Sequence, residues 1–221
     1  MTAAALPAPP LPGTVQVWSD VACPWATLAL TRLRAMRRDL GLELDVRFEH
    51  RAFPLEVANG SPLPPLDEEA VEVLSLEPSF GARRWSGEHG PWPRSVLPAL
   101  AAVRVAGTTD DGRPDPSRLP AAEELDWALR RALLVQSRPV GTPDEVLAVA
   151  VGVDGIDVDQ LAGRLEAGVD LVLADWALAK ELDVQGSPQF RLTDGTSVFN
   201  PGVDQPYDWG DLLRRALAAE G

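Results

Sequence analysis

The chain has 221 residues, 45% of them hydrophobic, and a formal net charge of -13. That length and apolar content suit one sizeable domain, or a small domain with a large insertion, and exclude global disorder. The acidic balance, with Lys180 the sole lysine, leaves no basic stripe for nucleic acid and no electrostatic footing on an anionic membrane.

Met1 to Gly13 is rich in Ala and Pro. It lacks the basic and long apolar regions of a secretory signal, so it reads as a flexible leader. No apolar run approaches the roughly 18–20 residues that span a bilayer. Cytoplasm is the expected compartment. The first strand is expected over Thr14–Ser19, where Val15 and Val17 alternate with Gln16 and Trp18. Asp20-Val-Ala-Cys23-Pro-Trp25 follows and leads into a helix. Ala26, Ala29, Leu30, Leu33, Met36 and Leu40 share one face of it. Pro24 suits its first turn and Gly41 its end. Arg32, Arg34, Arg37 and Arg38 read as its solvated face.

Leu44, Val46, Phe48 and His50 then alternate with polar residues, as a half-buried strand does. Strand, helix and strand make one βαβ unit with a parallel pair. Pro54–Asp67 reads as a loop. The stretch from about 67 to 182 reads as helical with breaks. Thr142-Pro-Asp-Glu145 has capping-box spacing, and Asp157-Val-Asp-Gln160 repeats that logic. Gly107–Pro120 is a polar loop. Glu123–Gln136 and Val169–Leu182 are amphipathic and strongly apolar helices respectively. Gln189–Thr193 and Thr196–Asn200 read as strands around an Asp194-Gly195 two-residue hairpin signal. Asp208 caps a closing helix that carries Leu212, Leu213 and Leu217.

Cys23 is the only cysteine. One cysteine forms no internal disulfide and no Cys-rich zinc site. At a strand-to-helix junction it meets helical N–H groups without intrahelical partners and the positive end of the macrodipole. Both favour a thiolate and a lowered pKa. The bland alternative is a small buried hydrophobe. Val184-Gln-Gly-Ser187-Pro188-Gln-Phe190 enters the next strand and suits a cis X-Pro turn. Such a turn would leave the Ser187 N–H and C=O unpaired and facing outward, able to hold an extended chain or a thiol tripeptide.

These two segments resemble a family. Val17-Trp-Ser-Asp-Val-Ala-Cys-Pro-Trp25 is similar to the active-site stretch of DsbA-like, FrnE-type thioredoxin-superfamily oxidoreductases, which read S-D-x-x-C-P-W-C. Arg51-Ala-Phe-Pro-Leu55 resembles the segment after their second strand. Val184–Phe190 resembles their V-x-G-x-P-x-F cis-proline loop. The resemblance covers about residues 14 to 219. It implies an α/β thioredoxin-like fold with a large α-helical insertion. Residues 1–13 would be a leader, 14–60 and 176–221 the two thioredoxin-like halves, and 61–175 the insertion. It implies Cys23 as catalytic nucleophile, with Pro24, Trp25, Ser187 and Pro188 against substrate. Ala26 stands where the family has its resolving cysteine, so the two-electron shuttle of a C-x-x-C site is unavailable.

Three functions stay open. One is a monothiol thiol-disulfide oxidoreductase whose mixed disulfide is resolved by an external thiol of the glutathione or mycothiol type. A second resembles kappa-class glutathione transferases and 2-hydroxychromene-2-carboxylate isomerases, where the chemistry belongs to a bound low-molecular-weight thiol. The third is a non-catalytic peptide-binding or chaperone-like module. No tightly bound cofactor is expected. His50 reads as a core residue and His89 as a solvated loop residue. Neither has a second ligand at metal spacing, so no metal site is expected. Asp20 reads as a turn residue at the helix start. Trp25 either covers the thiol or packs as a surface aromatic. The glycines at 152–155 form no phosphate loop, and no G-x-S-x-G occurs.

Overall fold

The computed structural model describes residues 10–202 and 205–218. The expected leader lies outside the described residues over 1–9. Its last part is anchored: Pro10 is buried, and Gly13 donates to the Ala216 carbonyl and accepts from the Arg47 N–H.

Four strands form one sheet: β1 (Thr14–Ser19), β2 (Arg47–Ala52), β3 (Gln189–Arg191) and β4 (Ser197–Phe199). Their order is β2-β1-β3-β4. β1 and β2 are parallel, whereas β1–β3 and β3–β4 are antiparallel. A parallel pair needs a crossover, and α1 (Pro24–Asp39) supplies it. Gly41 ends this helix with φ 69° while its N–H bonds the Arg38 carbonyl. Only glycine takes that backbone without a Cβ penalty.

β2 starts later than the alternation predicts. Leu44 is 82% exposed, because the chain turns back on itself and the Asp45 and Val46 N–H groups both bond Leu42 O. The ladder opens at Thr14↔Arg47. The hairpin also differs. Leu192 N–H still bonds Thr196 O, so the loop is three residues long, with Gly195 at φ 86°.

Between β2 and β3 lie α2 (Leu55–Ala58), α3 (Asp67–Leu74), α4 (Leu97–Ala106), α5 (Leu119–Leu134), α6 (Pro143–Ala150) and α7 (Val158–Glu181); α8 (Trp209–Ala218) closes the chain. α2 is a short helix within the expected 54–67 loop. α5 starts before Glu123 because Pro120 fits its first turn. The Thr142 capping box forms on α6. Asp157 caps no separate helix: it starts the 24-residue α7, whose second half is the apolar helix expected from Val169. That helix runs without a break through position 175. Asp208 caps α8 by accepting from Asp211 N–H at 2.8 Å.

One sheet face carries Val15, Val17, Phe48 and Phe190 against Leu30 and Leu33 of α1 and Leu212 and Leu213 of α8. Each fully buried leucine of this kind stabilises by about 1.5–3 kcal/mol. The other face carries Trp18 against Phe53, Ala179 and Val184. Polar groups share that face. Asp175 of α7 accepts from Ala52 N–H at 2.9 Å and pairs with Arg51 at 3.0 Å and Arg104 at 2.6 Å. A buried charge is tolerable when paired in this way. The insertion has its own apolar core, which reaches Val21, Ala22 and Leu28 beside Cys23.

The α1 arginines correct the expectation of a solvated face. Arg37 is buried and donates to Glu123 at 2.6 and 2.9 Å. Arg34 pairs with Glu123 and Glu124, and Arg32 with Glu77. Only Arg38 of the four is exposed. The insertion lies on that side of α1, so its carboxylates replace water.

α4 and α7 touch at Gly168. A Cβ there would stand 2.9 Å from the Ala101 carbonyl oxygen and 2.8 Å from Val105 Cγ2. Gly168→Ala is therefore expected to lower stability by about 1–3 kcal/mol through overpacking. Gly163→Ala on the exposed side of the same helix, with nothing within 4 Å, is expected to raise it by about 0.5–1 kcal/mol. Thermal denaturation of the two variants checks the pair; equal and positive shifts would contradict the packing.

Candidate functional site

After Ser19 the chain leaves the sheet and turns into α1. Asp20 builds the turn. Its Oδ1 accepts from Ala22 N–H at 2.8 Å and its carbonyl from Cys23 N–H at 3.2 Å. Cys23 then holds the N-cap position, with extended backbone (φ -72°, ψ 116°), and its sulfur accepts from Ala26 N–H at 3.5 Å. Pro24 follows at the first helical position, where it has no N–H to satisfy. Thr27 Oγ1 donates to the Cys23 carbonyl at 3.0 Å.

The loop before β3 comes to meet this turn. The Ser187–Pro188 peptide bond is cis. Asp20 N–H donates to Ser187 Oγ at 3.0 Å, and the Cys23 thiol donates to the Ser187 carbonyl at 3.2 Å. The expectation of an outward-facing, unpaired Ser187 carbonyl is thus corrected: the thiol takes it. Among the described residues the Ser187 N–H has no hydrogen-bond partner. Pro188 is buried, and its carbonyl accepts from Asn200 N–H. Gly186 has no room for a side chain, since a Cβ would stand 2.7 Å from Phe199 Cε2.

The electrostatics also correct the expectation. Cys23 is only 4% exposed. Burial pushes its thiol above the ordinary cysteine value, and the Asp20 carboxyl adds to that. The Ser187 side chain, the Ala26 N–H and the charge of Arg130 act the other way and do not overcome it. A charge taken out of water loses more than one helix terminus returns. At neutral pH Cys23 is a neutral thiol. Ala26, where a resolving cysteine would stand, is fully buried.

Asp20 is also fully buried, and its carboxyl is raised from 3.8 to about 6. Desolvation is the main cause. The Leu55 and Ala22 N–H groups and Arg130 oppose it. The Leu55 bond, at 2.9 Å, ties the segment after β2 to the thiol turn.

Of the remaining candidates, Trp25 is half-buried. It packs against the insertion core and donates from Nε1 to Glu69 at 2.9 Å, so it bridges to α3. His50 is buried, with Nδ1 3.7 Å from Asp126 and both ring nitrogens without a hydrogen-bond partner. Burial lowers its pKa. His89 is exposed, in the segment between Trp85 and Trp92, which pack edge to face. Among the described residues no three of His, Cys, Asp and Glu come together as a metal site would need. A cavity of about 530 Å³ lies among α4, α5 and α7, lined by Arg118, Arg164 and Leu161; Cys23 does not line it.

Sequence reading missed Arg130. Its guanidinium is fully buried behind the thiol turn. It donates to the Asp20 carbonyl at 2.9 Å, Thr27 Oγ1 at 3.2 Å, Ser19 Oγ at 2.8 Å and the Asp126 carboxylate. The available signal was the Asp126/Arg130 i,i+4 pair beside the stripe of Leu125, Leu129 and Leu133.

The chain matches no protein-family model and no curated protein sequence. Solved structures do match. A probable DsbA oxidoreductase from Streptomyces coelicolor is 20% identical over 93% of this chain and 88% of its own, with a TM-score of 0.62. It has a DsbA-like thioredoxin fold. Cytosolic disulfide reductase DsbM from Pseudomonas aeruginosa, solved with GSH, matches at a TM-score of 0.64 and 15% identity, over 93% of this chain and 99% of its own. A 2-hydroxychromene-2-carboxylate isomerase matches at 0.60 and 16%, over 93% and 95%. The DsbA-like fold, α/β with a helical insertion, is therefore the fold expected from the two motifs. Among the described residues no helix is long and apolar enough to cross a membrane.

Two titrations follow. Alkylation of Cys23 by iodoacetamide is expected to climb with pH beyond 9, since burial places the thiol above the usual value of 9.0; a plateau below pH 8 would refute the neutral thiol. Asp20 acts on stability. Its folded pKa is raised, so the native state binds its proton more tightly, and that contribution is present below about pH 4 and lost as pH rises through about 6. The stability of the wild type relative to Asp20→Asn is expected to fall over pH 4 to 6, by on the order of 3 kcal/mol, in urea denaturation at each pH.

Proposed function

We propose that this protein acts on thiols or disulfides, with Cys23 as a monothiol nucleophile. The observation that carries this reading is the contact between its one thiol and the Ser187 carbonyl of the cis-proline loop. The sulfur stands beside the backbone edge against which an extended substrate would lie.

Reaction needs an ionised sulfur. An incoming chain that pairs with the Ser187 backbone would compete for the carbonyl that holds the S–H. Once the released S–H had lost its proton to solvent, the thiolate would sit on the Ala26 N–H and the start of α1. It would attack one sulfur of a disulfide, and the other sulfur would leave as a thiolate and take up a proton. The product is a mixed disulfide on Cys23. Ala26 has no sulfur to resolve it. An external thiolate, of the glutathione or mycothiol type, would attack the substrate sulfur and return the Cys23 thiolate. The raised pKa keeps the thiolate fraction small at neutral pH, so this chemistry would run slowly without a bound partner. The likeness to a cytosolic reductase supports the cytoplasm as its compartment.

The buried, neutral thiol favours one second reading. An S–H that is a donor at neutral pH could bond the thiolate of a bound glutathione-like molecule, as the kappa-transferase and isomerase resemblance implies. There Cys23 would never become covalently modified.

Incubation with oxidised glutathione separates the two. The first reading expects a Cys23 adduct, heavier by one glutathionyl group, that disappears when reduced glutathione is added, and no disulfide exchange by Cys23→Ser. No adduct, with isomerase or conjugating activity retained in Cys23→Ser, would overturn it in favour of the second.

A further inference from the structure

Arg130 comes from the insertion, yet its hydrogen bonds end on the thiol turn. Nη1 reaches the Asp20 carbonyl and Thr27 Oγ1, and Nη2 reaches Ser19 Oγ. The Asp20 carbonyl in turn accepts the Cys23 N–H, and the Thr27 hydroxyl donates to the Cys23 carbonyl. Both backbone polar groups of Cys23 are therefore one bond removed from the guanidinium. Asp126, on the same helix, holds the other edge of the fork at 2.7 and 3.1 Å. The planar fork of arginine matches this spread of acceptors.

We propose that Arg130 is the positioning residue of the Cys23 site: it holds the turn that carries the thiol and supplies the buried positive charge that favours the ionised sulfur. This rests on Cys23 being the working thiol of the site. Charge and geometry act together. Cys23 faces the Asp20 carboxyl on its own turn, Arg130 from α5 and the uncharged Ser187 loop. Glu56 of α2 lies near Asp20. Asp126 and the neutral-leaning His50 of β2 surround Arg130, with Glu123 and Arg34 also near His50. Among these groups Arg130 is the cation that acts directly on the thiol. In a dry site such a charge is screened little.

The test is the pH profile of iodoacetamide alkylation in the full chain. Cys23 is the only thiol, so the signal has one source. Arg130→Met is expected to move the profile to higher pH and slow the reaction at pH 8 about threefold or more. Arg130→Lys, which keeps the charge, is expected to lie nearer the wild type. Asp126 left unpaired could unfold Arg130→Met. The double variant Asp126→Asn/Arg130→Gln keeps hydrogen-bonding groups without an orphaned charge, and is expected to shift the profile the same way. Far-ultraviolet circular dichroism and melting establish which variants are folded. A folded Arg130→Met or double variant whose profile overlays the wild type overturns the proposal. So does Arg130→Lys displaced as far as Arg130→Met. Alkylation needs no disulfide substrate, so absence of glutathione exchange in the wild type would count against the proposed function and leave this result readable.

Discussion

Two hydrogen bonds between segments more than 160 residues apart hold the site together: Asp20 N–H to Ser187 Oγ, and the Cys23 thiol to the Ser187 carbonyl. Each is a modest interaction, about 0.5–1.5 kcal/mol net. Their value lies in what they join. The first segment ends β1 and starts α1. The second leads into β3, which pairs with β1 in antiparallel register. Closing this link sets the start of the helix, the end of the strand and the position of the proline loop at once.

The site is dry, and that decides its electrostatics. A helix terminus and an N–H donor favour a sulfur anion, but Cys23 and Asp20 are removed from water together. Burial favours the neutral form of each, and a charge on the Asp20 carboxyl further disfavours one on the sulfur. Arg130 offsets part of the cost for both. Helix position alone therefore misleads about a thiol whose surroundings have not yet been assembled. What matters is the balance of the terminus against the loss of solvent.

Local chemistry was readable from the residues. Pro24 and Gly41 bracket α1, Thr142 and Glu145 build the capping box, and Asp208 starts α8. The βαβ unit and the returning hairpin followed from alternation and turn residues. Long-range pairing was not readable. Arg37 and Arg34 look like any charged helix face until Glu123 arrives from α5. Leu44 keeps the strand alternation, yet turn bonds to Leu42 remove it from the ladder. α7 hides its true length because Gly163 and Gly168 interrupt its apolar period, and Gly168 is there to let α4 approach. At the site, the cysteine and proline motifs were visible at both ends of the chain. Arg130, which lies behind them, carries no motif.

The sulfur of Cys23 is also the cap of α1. A side-chain acceptor at that position contributes to how firmly a helix begins. Any partner that captures the sulfur takes over an atom the fold itself uses. Covalent state and conformational stability would thus be coupled through one atom, and occupancy of the thiol would register in the firmness of the first helix.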